Sequence, residues 1–93
     1  MTNRSKRVRK ERNGFCQFLV VLSMDEETGQ VVAEVPSLGI ADYATDNREV
    51  MARLQQMVIF HLESLALEGK SIPIESDPQE GLYLRVKLPA DAP

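Results

Sequence analysis

Hydrophobic positions along the chain fall into four short runs of strand character and one long run at helical spacing. Phe15–Ser23 (FCQFLVVLS) is rich in β-branched and aromatic residues and too short for an independent helix, which predicts a strand. Its two faces, Phe15-Gln17-Leu19-Val21-Ser23 and Cys16-Phe18-Val20-Leu22, are both largely apolar. Such a strand belongs at the centre of a sheet, or has its second face covered by something else. A polar loop, Met24–Gly29, ends in Thr28-Gly29, where glycine tolerates positive φ. Gln30–Val35 is the returning strand of a hairpin, broken only by Glu34 and ended by Pro36, which has no N–H to donate. Pro36-Ser37-Leu38-Gly39 reads as a turn, and Ile40–Ala44 as a short third strand.

The helix signal is the strongest in the chain. Asp46 is a good N-cap, and Glu49 three residues on gives capping-box spacing. Val50, Leu54, Met57, Val58, His61 and Leu65 recur at helical intervals, and Gly69 stands where a C-terminal αL residue is needed. The spacing predicts a helix over about Asn47–Glu68. Its rear stripe, Arg53, Gln56, Phe60, Glu63 and Leu67, sets Phe60 and Leu67 among polar groups. These two residues are candidate interface positions, because a small domain leaves apolar surface in need of a cover. After a polar connection holding Pro73 and Pro78, Leu82, Leu84, Val86 and Leu88 alternate with outward Tyr83, Arg85 and Lys87 as a closing strand. The order β-β-β-α-β implies an α+β fold, a two-layer sandwich of one antiparallel sheet with one helix across a face.

Length and charge narrow this picture. Ninety-three residues allow one domain and exclude a multi-domain enzyme. The formal charge of −3 hides an uneven layout. Residues 1–12 carry six cations (Arg4, Lys6, Arg7, Arg9, Lys10, Arg12) and one acid, Glu11, while residues 13–93 carry five cations and thirteen acids. The boundaries expected are a disordered basic arm over 1–13, a folded body over 14–89 and a tail over 90–93. The arm is a candidate for sequence-blind phosphate binding, although no aromatic residue is interleaved to stack bases. The arm and the Phe15–Met24 run imitate a signal peptide, but Gln17 interrupts the run, no small-residue cleavage site follows, and Asp25-Glu26-Glu27 comes next. Cytoplasmic location is the expectation, with no apolar stretch near the ~18 residues of a membrane span.

Candidate chemistry is sparse. Cys16 is the only cysteine, which excludes a disulfide scaffold, and reads as a small buried hydrophobe. His61 is the only histidine and lies in the apolar helical run, without Cys or His at metal-ligand spacing. The five glycines are scattered and form no phosphate loop, and Asp25, Glu26 and Glu27 lack EF-hand spacing. No catalytic residue, metal site or cofactor is expected, and the chain is expected not to be an enzyme.

Residues 31–76 (VVAEVPSLGIADYATDNREVMARLQQMVIFHLESLALEGKSIPIES) carry a resemblance. Val35-Pro36-Ser37-Leu38-Gly39 is similar to the Pro-x-Leu-Pro-Gly-Cys turn of the HicB family of antitoxins. Glu68-Gly69-Lys70-Ser71-Ile72-Pro73 is similar to its x-G-x-x-I-P helix exit, and Leu84–Pro89 to its closing strand. The likeness spans about residues 15–89. Pro36, Gly39, Asp46, Gly69 and Pro73 are carried over as structural positions. The sequence departs at the missing second proline, at Ile40 in place of cysteine, and at Ala44-Thr45-Asp46 in place of Gly-Asp-Thr. The resemblance implies a partial ribonuclease-H-like fold and a bacterial toxin–antitoxin role. It further implies a homodimer and a small basic HicA-type ribonuclease as partner, with the DNA-binding domain that often follows this module expected to be absent. The competing expectation is a small nucleic-acid-associated protein that works through the basic arm.

Overall fold

The computed structural model describes residues 14–75 and 79–89. The expected arm over 1–13 and tail over 90–93 lie outside the described residues. The elements are β1 (Phe15–Met24), β2 (Val31–Val35), β3 (Ile40–Ala44), α1 (Asn47–Leu67) and β4 (Leu82–Lys87). All four strands form one antiparallel sheet in the order β3-β2-β1-β4, with α1 on one face. The fold is α+β, in the element order that the hydrophobic pattern predicts.

β1 is central, and its two halves have different neighbours. Phe15–Val20 pair with β4, from Phe15↔Lys87 to Val20↔Leu82. Val21–Met24 pair with β2, from Val21↔Glu34 to Met24↔Val31. β2 is shorter because Pro36 ends it and Gly39 turns the chain at φ 67°, its N–H donating 3.0 Å to the Val35 carbonyl. The turn at the other end of the hairpin is made by Gly29 at φ 74°, whose N–H donates to the Asp25 carbonyl at 2.7 Å.

The core lies between sheet and helix. Phe18, Val20, Val31, Ala33, Val35, Leu84 and Val86 face α1, which buries Val50, Leu54, Val58, Leu62 and Ala66. Expectation and structure differ in the phase of the helix. The buried row runs at intervals of four through Leu62 and Ala66, while Met57 is 39% exposed and His61 only half-buried. The run MVIFHL is apolar nearly all round, so its sequence does not say which side faces the sheet; the straight i, i+4 ridge decides it. Leu82 also differs. It alternates correctly yet stays 42% exposed at the start of the edge strand.

Both helix ends are capped. Asp46 Oδ1 accepts from the Glu49 N–H at 2.8 Å, as expected of the N-cap. Glu49 does not complete the capping box on Asp46. Its carboxylate reaches one residue further back, to the Thr45 hydroxyl at 2.9 Å and backbone N–H at 3.4 Å. At the other end Glu68 is the C-cap, not the last helical residue, and Gly69 adopts φ 72°. Gly69 N–H donates to the Ala66 carbonyl at 3.1 Å and Lys70 N–H to that of Leu65 at 2.9 Å, a Schellman pair.

Candidate functional site

One helix covers one face of the sheet, so among the described residues three kinds of surface remain open: the outer side of α1, the far face of the sheet, and the edges of β3 and β4. On α1, Phe60 is 71% and Leu67 80% exposed. They are two turns apart, about 10.5 Å along the axis, on the side opposite the buried ridge. The fold therefore leaves both candidate interface residues uncovered, and brings no other described element over them.

The far face of the sheet carries Phe15, Gln17, Leu19 and Val21 from β1 beside Tyr83, Arg85 and Lys87 from β4. Phe15 is 39% and Val21 46% exposed, and Tyr43, from β3, is 56% exposed on the same face. The second apolar face of β1 is thus not covered by any described element. At its β4 corner the Arg85 guanidinium carbon lies 4.3 Å from the Phe15 ring centroid, a cation–π contact. Tyr83 turns its hydroxyl away to Gln79, accepting from the backbone N–H at 2.9 Å and donating to the carbonyl at 3.0 Å. Gly81, at φ 153°, passes close to the Leu19 side chain, where an added Cβ would come within 3.0 Å of Cδ1.

Two polar contacts tie the open surfaces to the core. Arg53 Nε donates to Asp42 Oδ2 at 3.0 Å and Nη2 to Oδ1 at 3.3 Å, joining α1 to the β3 edge. The Arg53 hydrogen bond holds the Asp42 carboxyl below the usual carboxylate range; partial burial opposes the shift, and the Tyr43 N–H and the Arg53 charge add to it. The second contact is Glu75, whose Oε2 accepts from the Leu19 N–H at 3.2 Å and the Ser37 hydroxyl at 2.9 Å. Neither contact was visible in the sequence, since each joins elements whose relative placement only the fold supplies.

Other sequence-derived positions are structural. Pro36 and Gly39 make the β2–β3 turn, Asp46 and Gly69 cap α1, and Pro73 is exposed in the connection next to the partly buried Ile72. Cys16 is partly buried against the core, and burial pushes its thiol pKa up, away from the reactive thiolate. Asp25 Oδ1 accepts from the Glu27 N–H at 3.0 Å within the hairpin loop. Among the described residues no group of three or more His, Cys, Asp or Glu side chains is placed to hold a metal ion. No described helix is long and apolar enough to cross a membrane. The six arm cations, Arg4 to Arg12, lie outside the described residues.

No protein-family model, curated protein or solved structure matches this chain.

Proposed function

We propose that the chain is a non-enzymatic protein-binding module of HicB-like type, which dimerises and neutralises a small HicA-type ribonuclease by occlusion. The observation that carries this reading is the pair Phe60 and Leu67, two large apolar side chains left 71% and 80% exposed on one stripe of the only described helix. Side chains of this kind, set in a polar rim, are what the centre of a protein interface uses. The turn at Pro36–Gly39 and the helix exit at Gly69–Pro73 add the HicB-like motifs, here in the roles of strand terminator and helix cap. The acidic balance of residues 13–93 suits a basic partner, because complementary charge speeds encounter and fixes orientation.

The mechanism is steric. A partner held against the helix stripe loses access to its RNA, and no residue of this chain performs chemistry. Phe60→Asp tests the reading by sedimentation velocity and by capture of a purified small basic HicA-type ribonuclease. The substitution should leave the fold intact, dissociate the dimer and weaken capture. An unchanged oligomeric state together with unchanged capture rules the stripe out as the interface.

A further inference from the structure

The far face of the sheet carries unlike charges on opposite sides of β1. Glu34, on β2, stands in the row Ala41–Glu34–Val21, while Arg85, on β4, faces Gln17. Both side chains are exposed, and among the described residues neither makes an ion pair, unlike Arg53 with Asp42 and Lys70 with Glu68. Leu19 lies midway between them. It is on the strand between β2 and β4, two residues from Val21 and two from Gln17. Sheet spacings put Glu34 and Arg85 about 8 Å to either side of it. Apolar groups occupy the middle. Val21, 46% exposed, follows Leu19 along the same face of β1, and half-buried Tyr83 pairs with Leu19 from β4. A face with apolar groups at its centre and unlike charges at equal distances on either side is complementary to itself.

We propose that this face docks a second copy of the chain, sheet against sheet, about a two-fold axis through Leu19. An axis lying between the sheets, perpendicular to the Glu34–Arg85 diagonal, sets each Glu34 carboxylate over Arg85 of the second copy. It also sets Leu19 against its own counterpart and Val21 against the Tyr83 ring of the second copy. The diagonal makes roughly 35° with the strands, so the strands of the two copies cross at about 70°, near the orthogonal class of sheet packing. Sheets about 10 Å apart leave room for a glutamate and an arginine to meet end to end. Charge selects this occupant. A partner surface of one sign would satisfy Glu34 or Arg85 and repel the other, whereas a second copy presents one of each in matching order and makes the contact twice. The area buried is on the order of 1,000 Å² in total, the lower end for a specific pair, which corresponds to a Kd of about 10 μM. This face is on the opposite side of the sandwich from the Phe60–Leu67 stripe of α1, and the proposal stands independently of the antitoxin reading. At about 1 μM chain, tenfold below that Kd, sedimentation reports the stripe alone.

The test is sedimentation equilibrium of the full chain carrying Phe60→Asp, which removes any contribution of the helix stripe, from about 1 to 200 μM. Failure of the stripe as an interface leaves this measurement unaffected. A monomer–dimer equilibrium near about 10 μM is expected. Glu34→Arg, Arg85→Glu and Val21→Asp, each added singly, should weaken it at least about tenfold. Mixing the Glu34→Arg chain with the Arg85→Glu chain should restore pairing, as a heterodimer, to within about threefold, because both like-charge contacts become unlike ones. All three side chains are exposed, so thermal midpoints should stay close to that of the Phe60→Asp chain. The proposal is overturned by a chain that stays monomeric at about 200 μM, by pairing that ignores the single substitutions, or by a mixture that pairs no better than either variant alone.

Discussion

The Glu75 carboxylate accepts a hydrogen bond from the Leu19 backbone N–H at 3.2 Å, in the place that β2 vacates when Pro36 ends it. β1 pairs with β2 only from Val21 onward, so among the described residues its first half has no strand on that side. A side chain from the connection after α1 satisfies the donor. Glu75→Ala should cost about 1–2 kcal/mol in urea unfolding, because a part-buried N–H is left without a partner. Glu75→Gln keeps an acceptor oxygen and should recover most of it. Equal losses in both variants would show that the contact adds no stability.

The helix caps give a second, local prediction. Asp46→Ala removes the acceptor for the Glu49 N–H and should cost about 1 kcal/mol. Gly69→Ala forces a Cβ into φ 72° and should cost about 1–2 kcal/mol, although no atom beyond its immediate chain neighbours would lie within 4 Å of that Cβ. The loss would then be conformational and not steric. The two sites are at opposite ends of α1, so their effects should add in the double variant.

The Asp42–Arg53 pair is best read by titration. Asp42 is held below its ordinary pKa in the folded chain, so it binds its proton less readily there than when unfolded. Its contribution to stability is therefore full above the unfolded carboxylate pKa and is lost as pH falls through the lower, folded value. NMR titration should place the Asp42 midpoint below that of an ordinary aspartate, and Arg53→Gln should move it back toward the ordinary range. A midpoint indifferent to Arg53→Gln would contradict the assigned cause.

Position within α1 sets the fourth contrast. Leu54 is fully buried on the ridge that faces the sheet, and Leu54→Ala should cost about 2–5 kcal/mol. Met57, three residues on and 39% exposed, should cost clearly less on the same change. Guanidinium unfolding of the two variants measures the phase of the helix directly; comparable losses would mean that the phase is wrong.

The fold was largely legible because its punctuation is local. Pro36, Gly29, Asp46 and Gly69 each act within a few residues, and each sits in the turn or cap its chemistry requires. Leu84 and Val86 alternate inward as a strand of period two must. Helix phase was less legible, because MVIFHL offers apolar residues to every side and only the facing sheet selects Val58 and Leu62. The open-face corner was hidden for another reason. Phe15 and Arg85 are seventy residues apart in sequence, and nothing local sets the register that brings them together.

The central proposal is that the exposed stripe of α1 covers a small basic ribonuclease. RNA cleavage by a purified HicA-type ribonuclease, measured against increasing amounts of this chain, tests it most directly. The account predicts stoichiometric suppression of cleavage, with Phe60→Asp and Leu67→Asp each needing at least about tenfold more protein, the loss of one interface anchor. Cleavage that proceeds unaltered at an excess of the unaltered chain, or suppression that ignores both substitutions, would contradict it.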